Sequence, residues 1–188
     1  MAPGAPLPAV DGGRPPGHAP RPCHSGSRLH RAHPPWHTRD MDANDREPLA
    51  GLAMIQPAGW ATPRGYVNGI VVPAGRRLLV VAGQIGWDAQ ARLVMPQRDD
   101  EDAFVCQFAQ ALANVATVVQ TAGGSVGDVI SLRIYVTDKA RYLAQIKGVG
   151  AAYRAVFGRH YPTMALVQVA DLLEPGALVE IEAMAALP

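Results

Sequence analysis

Gly176-Ala177-Leu178-Val179-Glu180-Ile181-Glu182-Ala183-Met184, preceded by Tyr161-Pro162-Thr163-Met164-Ala165-Leu166-Val167-Gln168-Val169, reads as a pair of strands near the C-terminal end of the chain. Along an extended backbone alternate residues share a face, so Glu180 and Glu182 project together, roughly 6–7 Å apart, while Val179, Ile181 and Ala183 turn toward a core. Acids on a strand face are candidates for proton chemistry, yet exposed strand acids are ordinarily just solvated, and the pattern alone leaves both readings open.

Upstream, Ile130, Leu132, Ile134 and Val136 alternate with Ser131, Arg133, Tyr135 and Thr137, which predicts a strand with one face in the core. Between that strand and the C-terminal pair, Thr137-Asp138 caps a predicted helix whose stripe is Leu143, Ile146, Val149, Tyr153 and Val156 or Phe157, ending at Gly158. Gly148 and Gly150 each cost such a helix about 1 kcal/mol against alanine, which points to close packing on the sheet or beside a cleft.

Before the 130–137 strand, Phe104, Phe108, Leu112, Val115 and Val119 recur at helical spacing, with Ala111 and Val118 in the same stripe. The acidic run Asp99 to Asp102 suits the positive start of this helix, and Gly123-Gly124 ends it. Residues 66–72 and 78–82 are rich in β-branched and apolar residues and flank Pro73-Ala74-Gly75-Arg76-Arg77, which predicts an antiparallel hairpin; residues 83–88 read as the loop that leaves it.

The predicted order is β-β-α-β-α-β-β, an α+β fold with two helices on one face of a mixed sheet. The other face is left with Arg133, Tyr135, Glu180 and Glu182 among apolar groups such as Leu178 and Met184. A face of this kind packs against copies of itself, so a symmetric oligomer with sites between subunits is expected.

The chain carries a formal net charge of +1, and from Met54 onward it holds 11 basic and 11 acidic residues, so no basic patch for nucleic acid or an anionic membrane stands out. No uninterrupted apolar run approaches the roughly 18 residues that span a bilayer. Two cysteines, Cys23 and Cys106, make neither a disulfide framework nor a zinc site, and a reducing cytoplasm fits best. Residues 1–53 read as a disordered Pro/Gly/His/Arg-rich leader, a start-site artefact being the alternative, because residues 1–50 hold ten of the 17 prolines and five of the six histidines with few large apolar groups. The domain proper is 54–188.

Gly65-Tyr66-Val67-Asn68-Gly69, Ala82-Gly83-Gln84-Ile85, Tyr135-Val136-Thr137-Asp138, Ala151-Ala152-Tyr153 through Phe157, and Gly176 through Ala183 together resemble the RidA (YjgF/YER057c/UK114) family. The resemblance covers roughly residues 56–187. It implies a chorismate-mutase-like fold, a homotrimer with three clefts between subunits, and hydrolysis of reactive enamines and imines to ketoacids and ammonia without a metal or bound cofactor. By the same resemblance Glu180 matches the acid that handles water, Tyr66 a tyrosine at the cleft, and Gly83 a glycine whose backbone lines it. The bland readings are a strand aromatic for Tyr66 and a tight exit from the second strand for Gly83.

In the family's well-studied members an arginine two residues after the proline that opens the fourth strand clamps the substrate's carboxylate. Counting from Pro162 gives Met164, a thioether without charge, expected to shape an apolar pocket; losing a charge-assisted contact costs on the order of 1.5–3 kcal/mol. Turnover of carboxylate-bearing imines is therefore expected to be inefficient, and a non-catalytic small-molecule binder is the alternative to a deaminase-type hydrolase. The stretch from Asp138 to Tyr153 is about four residues longer than the family pattern, consistent with one added helical turn. Cys106 reads as a buried thiol, His160 as a hydrogen-bonded loop residue, and residues 123–127 as a turn between helix and strand. RNA cleavage, associated with some relatives, finds little support in the balanced charge and the lack of a histidine pair.

Overall fold

The computed structural model describes residues 51–188, and the readings of the leader, its histidines and Cys23 lie outside the described residues. The elements are β1 (Ala53–Ile55), β2 (Gly69–Val71), β3 (Arg77–Ile85), α1 (Ala103–Thr121), β4 (Val129–Val136), α2 (Lys139–Ala144), α3 (Ile146–Phe157), β5 (Thr163–Gln168) and β6 (Val179–Leu187). The main sheet has the order β3-β6-β4-β5; β6 runs antiparallel to both neighbours, and β4 and β5 are parallel, joined by the helical crossover that a parallel pair requires. This is the expected α+β architecture with a mixed sheet.

The core lies between this sheet and the helices. Phe104, Phe108, Leu112, Val115 and Val119 of α1 meet Leu132, Ile134 and Val136 of β4 and Val179, Ile181, Ala183 and Ala185 of β6, and Val149, Ala152, Tyr153 and Phe157 of α3 close the cluster. Asp102 caps α1 by accepting from the Phe104 and Val105 amides at 2.8 and 3.3 Å, and its second carboxylate oxygen takes Arg141 of α2 at 3.0 Å. The helix ends as its glycines foretell. Gly123 adopts φ +87°, its N–H donates to Gln120, and the Gly124 N–H donates to Val119, the paired bonds of a Schellman stop. α1 has 19 residues and is long and apolar enough to cross a membrane, although polar residues interrupt its apolar run; its apolar stripe is buried in the core.

Four local expectations are corrected. The first two predicted strands are not neighbours: residues 66–72 shrink to β2, which pairs with the unforeseen β1, while Pro73 and the left-handed Gly75 turn the chain into β3 without a ladder. β3 runs on through Gly83 to Ile85 rather than entering a loop at 83, because a bulge between Val81 and Gln84 absorbs one extra residue. A second bulge between Val129 and Ser131 of β4 puts Val129 in the core position assigned to Ile130. The second helix is broken at Gln145 into α2 and α3, so Leu143 and Ile146 of the predicted stripe face solvent and the buried stripe starts at Val149. Gly148 does mark close packing: a Cβ there would lie 3.0 Å from Val105 of α1. Cys106 is buried in α1 but is not a free thiol.

Candidate functional site

Strand register decides which side chains of the uncovered sheet face meet. On β6, Glu180 lies opposite Tyr135 of β4 and Ile85 of β3, and Glu182 lies opposite Arg133 of β4. Both glutamates are partly exposed, while Val179, Ile181 and Ala183 between them are buried, so the predicted alternation holds.

The β3 bulge brings Gly83 under Glu180. A Cβ built on Gly83 would collide with the Glu180 carboxylate, and its Cγ would lie at 2.9 Å. Only a residue without a side chain leaves room for the acid to lie over the strand, and that, not a left-handed backbone, is what the position asks of glycine. No described residue donates a hydrogen bond or an ion pair to Glu180, which leaves its lone pairs for water or a ligand.

Glu182 is engaged instead. Its Oε2 accepts from the Tyr135 hydroxyl at 3.1 Å and lies 3.6 Å from Nη1 of Arg133. Removal from water pushes the Tyr135 phenol above its ordinary value, and the neighbouring Glu182 pushes it further the same way, so the hydroxyl stays a donor at neutral pH. A shallow cavity of about 170 Å³ opens beside this cluster, lined by Val80, Ala82, Ser131, Arg133, Glu182 and Met184. This concavity takes Glu182 into its lining and not Glu180.

Tyr66 is not on a strand. It sits exposed in the segment before β2, and the Val67 N–H next to it donates to the Pro162 carbonyl at 3.2 Å, so this segment lies beside the start of β5. Met164, the second residue of β5, lies opposite Leu132 and packs partly buried on the core cluster. Leu132 belongs to the helix-covered face and Glu180 to the uncovered one, so within one chain Met164 and Glu180 point to opposite sides of the sheet. By register they are also two strands and about three residues apart, on the order of 10 Å in each direction. The chain therefore groups Gly83 with Glu180 and keeps Met164 apart from that pair, while the segment that carries Tyr66 lies beside the start of the strand that carries Met164.

Two contributors, Gln107 and Asn114, went unread in the sequence, and a third, Arg133, is placed there without its partner. Gln107 and Asn114 of α1 hold the backbone around the Glu180 position, Gln107 by bonds to Gly176 and Leu178 and Asn114 by bonds to Ile85 and Trp87. Arg133 was read as a face residue, but its place beside Glu182 depends on a register that the bulges shift. The signal for Gln107 was available: an amide between Phe104 and Phe108 on an apolar stripe must be hydrogen-bonded if buried. His160 is a hydrogen-bonded loop residue, its Nε2 2.6 Å from the Val129 carbonyl, with burial holding its pKa below the usual value. Among the described residues no group of three His, Cys, Asp or Glu could hold a metal ion.

Known proteins resemble this chain in sequence and in fold. Residues 60–187 match the sequence model of the family described as Endoribonuclease L-PSP. TdcF of Escherichia coli is 35% identical over 124 residues, 64% of this chain and 84% of that protein. A 2-iminobutanoate/2-iminopropanoate deaminase of Salmonella typhimurium is 32% identical over 123 residues, 64% of this chain and 85% of that protein. Among solved structures, YyfB from Yersinia pestis, described as a protein of unknown function of the conserved Rid family, superposes with a TM-score of 0.62 at 31% identity, covering 73% of this chain and 99% of its own.

Proposed function

Because the chain belongs to the RidA (YjgF/YER057c/UK114) family, we propose that it hydrolyses imines, enamines or related small electrophiles that need not carry a carboxylate, with Glu180 directing the attack of water. The observation that carries this reading is the carboxylate of Glu180 held over Gly83 with no donor among the described residues, whereas Glu182 on the same face is engaged by Tyr135 and Arg133.

The chemistry needs a base and little else. Glu180 accepts a proton as water adds to the imine carbon, the C–O bond forms, and the C=N pair moves to nitrogen. The protonated acid returns that proton to nitrogen, giving a carbinolamine; Glu180 then takes the hydroxyl proton and passes it to the amine as the C–N bond breaks, so that ammonia leaves, a carbonyl remains and the acid is again ionised. Tyr66 and Met164 wall the apolar side of the cleft. Since Met164 lies away from Glu180 in one chain, the cleft in this reading forms between subunits of a homotrimer, Glu180 and Gly83 coming from one and Tyr66 and Met164 from its neighbour.

Glu180→Gln keeps the shape and removes the base, so ammonia release from a panel of imines without a carboxylate is expected to fall at least 100-fold. Full activity in that variant would end the role given to Glu180. Met164 favours one second reading, a non-catalytic small-molecule binder or sensor, because a core-packed thioether replaces the family's anion clamp. In that case a ligand raises the melting temperature by binding linkage while no imine in the panel turns over.

A further inference from the structure

Two amides on α1 stand out because they sit where an apolar helix face should be. Gln107 is 1% exposed, and both ends of its side chain are used: Nε2 donates to the Gly176 carbonyl at 3.1 Å and Oε1 accepts the Leu178 N–H at 2.8 Å. One side chain thereby brackets Ala177, closing the approach to β6 two residues before Glu180. Seven residues on, Asn114 donates through Nδ2 to the carbonyls of Ile85 and Trp87 at 3.1 and 3.0 Å, and its Oδ1 accepts from Gln110 at 2.9 Å. Ile85 is the residue of β3 that lies opposite Glu180. Residues seven apart on a helix share a face, so α1 presents two amide clamps, one on the segment that enters the strand bearing the acid and one on the end of the neighbouring β3.

The glycines fit the same arrangement. A Cβ on Gly86 would come within 2.6 Å of the Gln107 Cα, so β3 reaches the helix at that point only because Gly86 has no side chain. The bulge of β3 ends just before, at Gln84, and without a fixed exit the extra residue would be free to migrate along the strand. Gln107 and Asn114 fix the backbone on both sides of the one place where Gly83 and Glu180 overlap.

We propose that Gln107 is a positioning residue for Glu180: by holding Gly176 and Leu178 it sets the height at which the carboxylate emerges from β6. This role rests on the proposed hydrolytic reading of Glu180. It makes no contact with substrate, so it acts on the chemical step and not on binding. Gln107→Met keeps the length and bulk of the side chain and removes both hydrogen bonds.

The test is a double-mutant cycle on the purified full-length protein, read as ammonia release from imines without a carboxylate. Gln107→Met is expected to lower kcat 10- to 100-fold with KM within twofold, and to lower the residual rate by less than twofold in the Glu180→Gln background. Equal losses in both backgrounds would make Gln107 a merely structural residue, and a kcat within twofold of wild type would remove the positioning role, while the Glu180 assignment would stand in either case. A wild type with no turnover, or a Glu180→Gln variant at full rate, would overturn the hydrolytic reading and this one with it. If Gln107→Met does not fold, Gln107→Glu keeps an acceptor for the Leu178 N–H; it is expected to lose 3- to 10-fold in kcat in the wild-type background and less than twofold beside Glu180→Gln, and equal losses would again overturn the role.

Discussion

Glu180 and Glu182 are chemically identical and two residues apart, yet their neighbours give them different work. Glu182 accepts from Tyr135 and lies beside Arg133, which occupy its lone pairs; Glu180 has Gly83 beneath it and no donor among the described residues. Gly83→Ala tests this contrast with one methyl group. The Cβ can be accommodated only if the carboxylate swings away, so ammonia release should fall at least tenfold, with a stability cost of about 1–3 kcal/mol from overpacking. An unchanged rate would mean that the acid does not work from its place over β3. Met164 carries the opposite prediction. A guanidinium there gains a charge-assisted contact of about 1.5–3 kcal/mol with a substrate carboxylate, so Met164→Arg should raise kcat/KM for 2-imino acids roughly 10- to 100-fold, measured by coupling to an amino-acid oxidase. A wild type that already matches the arginine variant would show that Met164 does not stand where the carboxylate binds.

The helices were readable because their grammar is local: Asp102 and Asp138 accept from the first-turn amides, and Gly123 takes the left-handed turn that its position demands. Bulges are not local. Whether Val81 and Ala183 keep step as far as Gln84 and Ile181 depends on α1 clamping the exit of β3, so the sequence marked Gly83 and Glu180 separately without revealing that one lies under the other. Pairing of β2 with β1 escaped for the same reason, since three-residue strands carry almost no alternation to read. The α3–β5 connection offers a test at this level. His160 sits there with Nε2 against the Val129 carbonyl and Tyr153 donating to its own carbonyl at 2.7 Å, tying the connection to β4. Burial lowers its pKa from the usual 6.5 or so, the hydrogen bond to Val129 opposing only in part. The unfolded chain therefore takes up the proton first. Stability contributed by neutral His160 is full above about pH 7, declines as pH falls through about 6.5, and levels off below the folded-state value. Denaturant titrations from pH 8 to pH 5 should show that decline, and His160→Gln, which still donates to Val129, should flatten it. An identical decline in the variant would place the titrating group elsewhere.

A sheet with helices on one side only must do something with the other. Leu78, Val80 and Val167 are 65%, 64% and 48% exposed, and they share with Ala82, Ala165 and Met184 the sheet face that no described helix covers, an apolar patch of the kind that marks an interaction surface. The face is also where Glu180 points, while Met164 points through the opposite side, so a cleft that uses both needs two chains. In the homotrimer proposed above, covering the apolar face and completing the cleft are one event, each of three copies lending an acid-bearing wall and a Met164-bearing wall. Val80 pairs with Met184 on this face and does not touch Glu180, which makes it the place to separate the two effects. Val80→Glu should bury an unpaired carboxylate in the interface and shift the protein in analytical ultracentrifugation from three times 19.9 kDa, about 60 kDa, toward the single-chain mass. Activity should disappear with the trimer, since each separated chain keeps Glu180 over Gly83 but loses the wall that faces it. A wild type that sediments as one chain and still releases ammonia would sink the shared cleft, and a Val80→Glu variant that stays near 60 kDa would move the interface off this face.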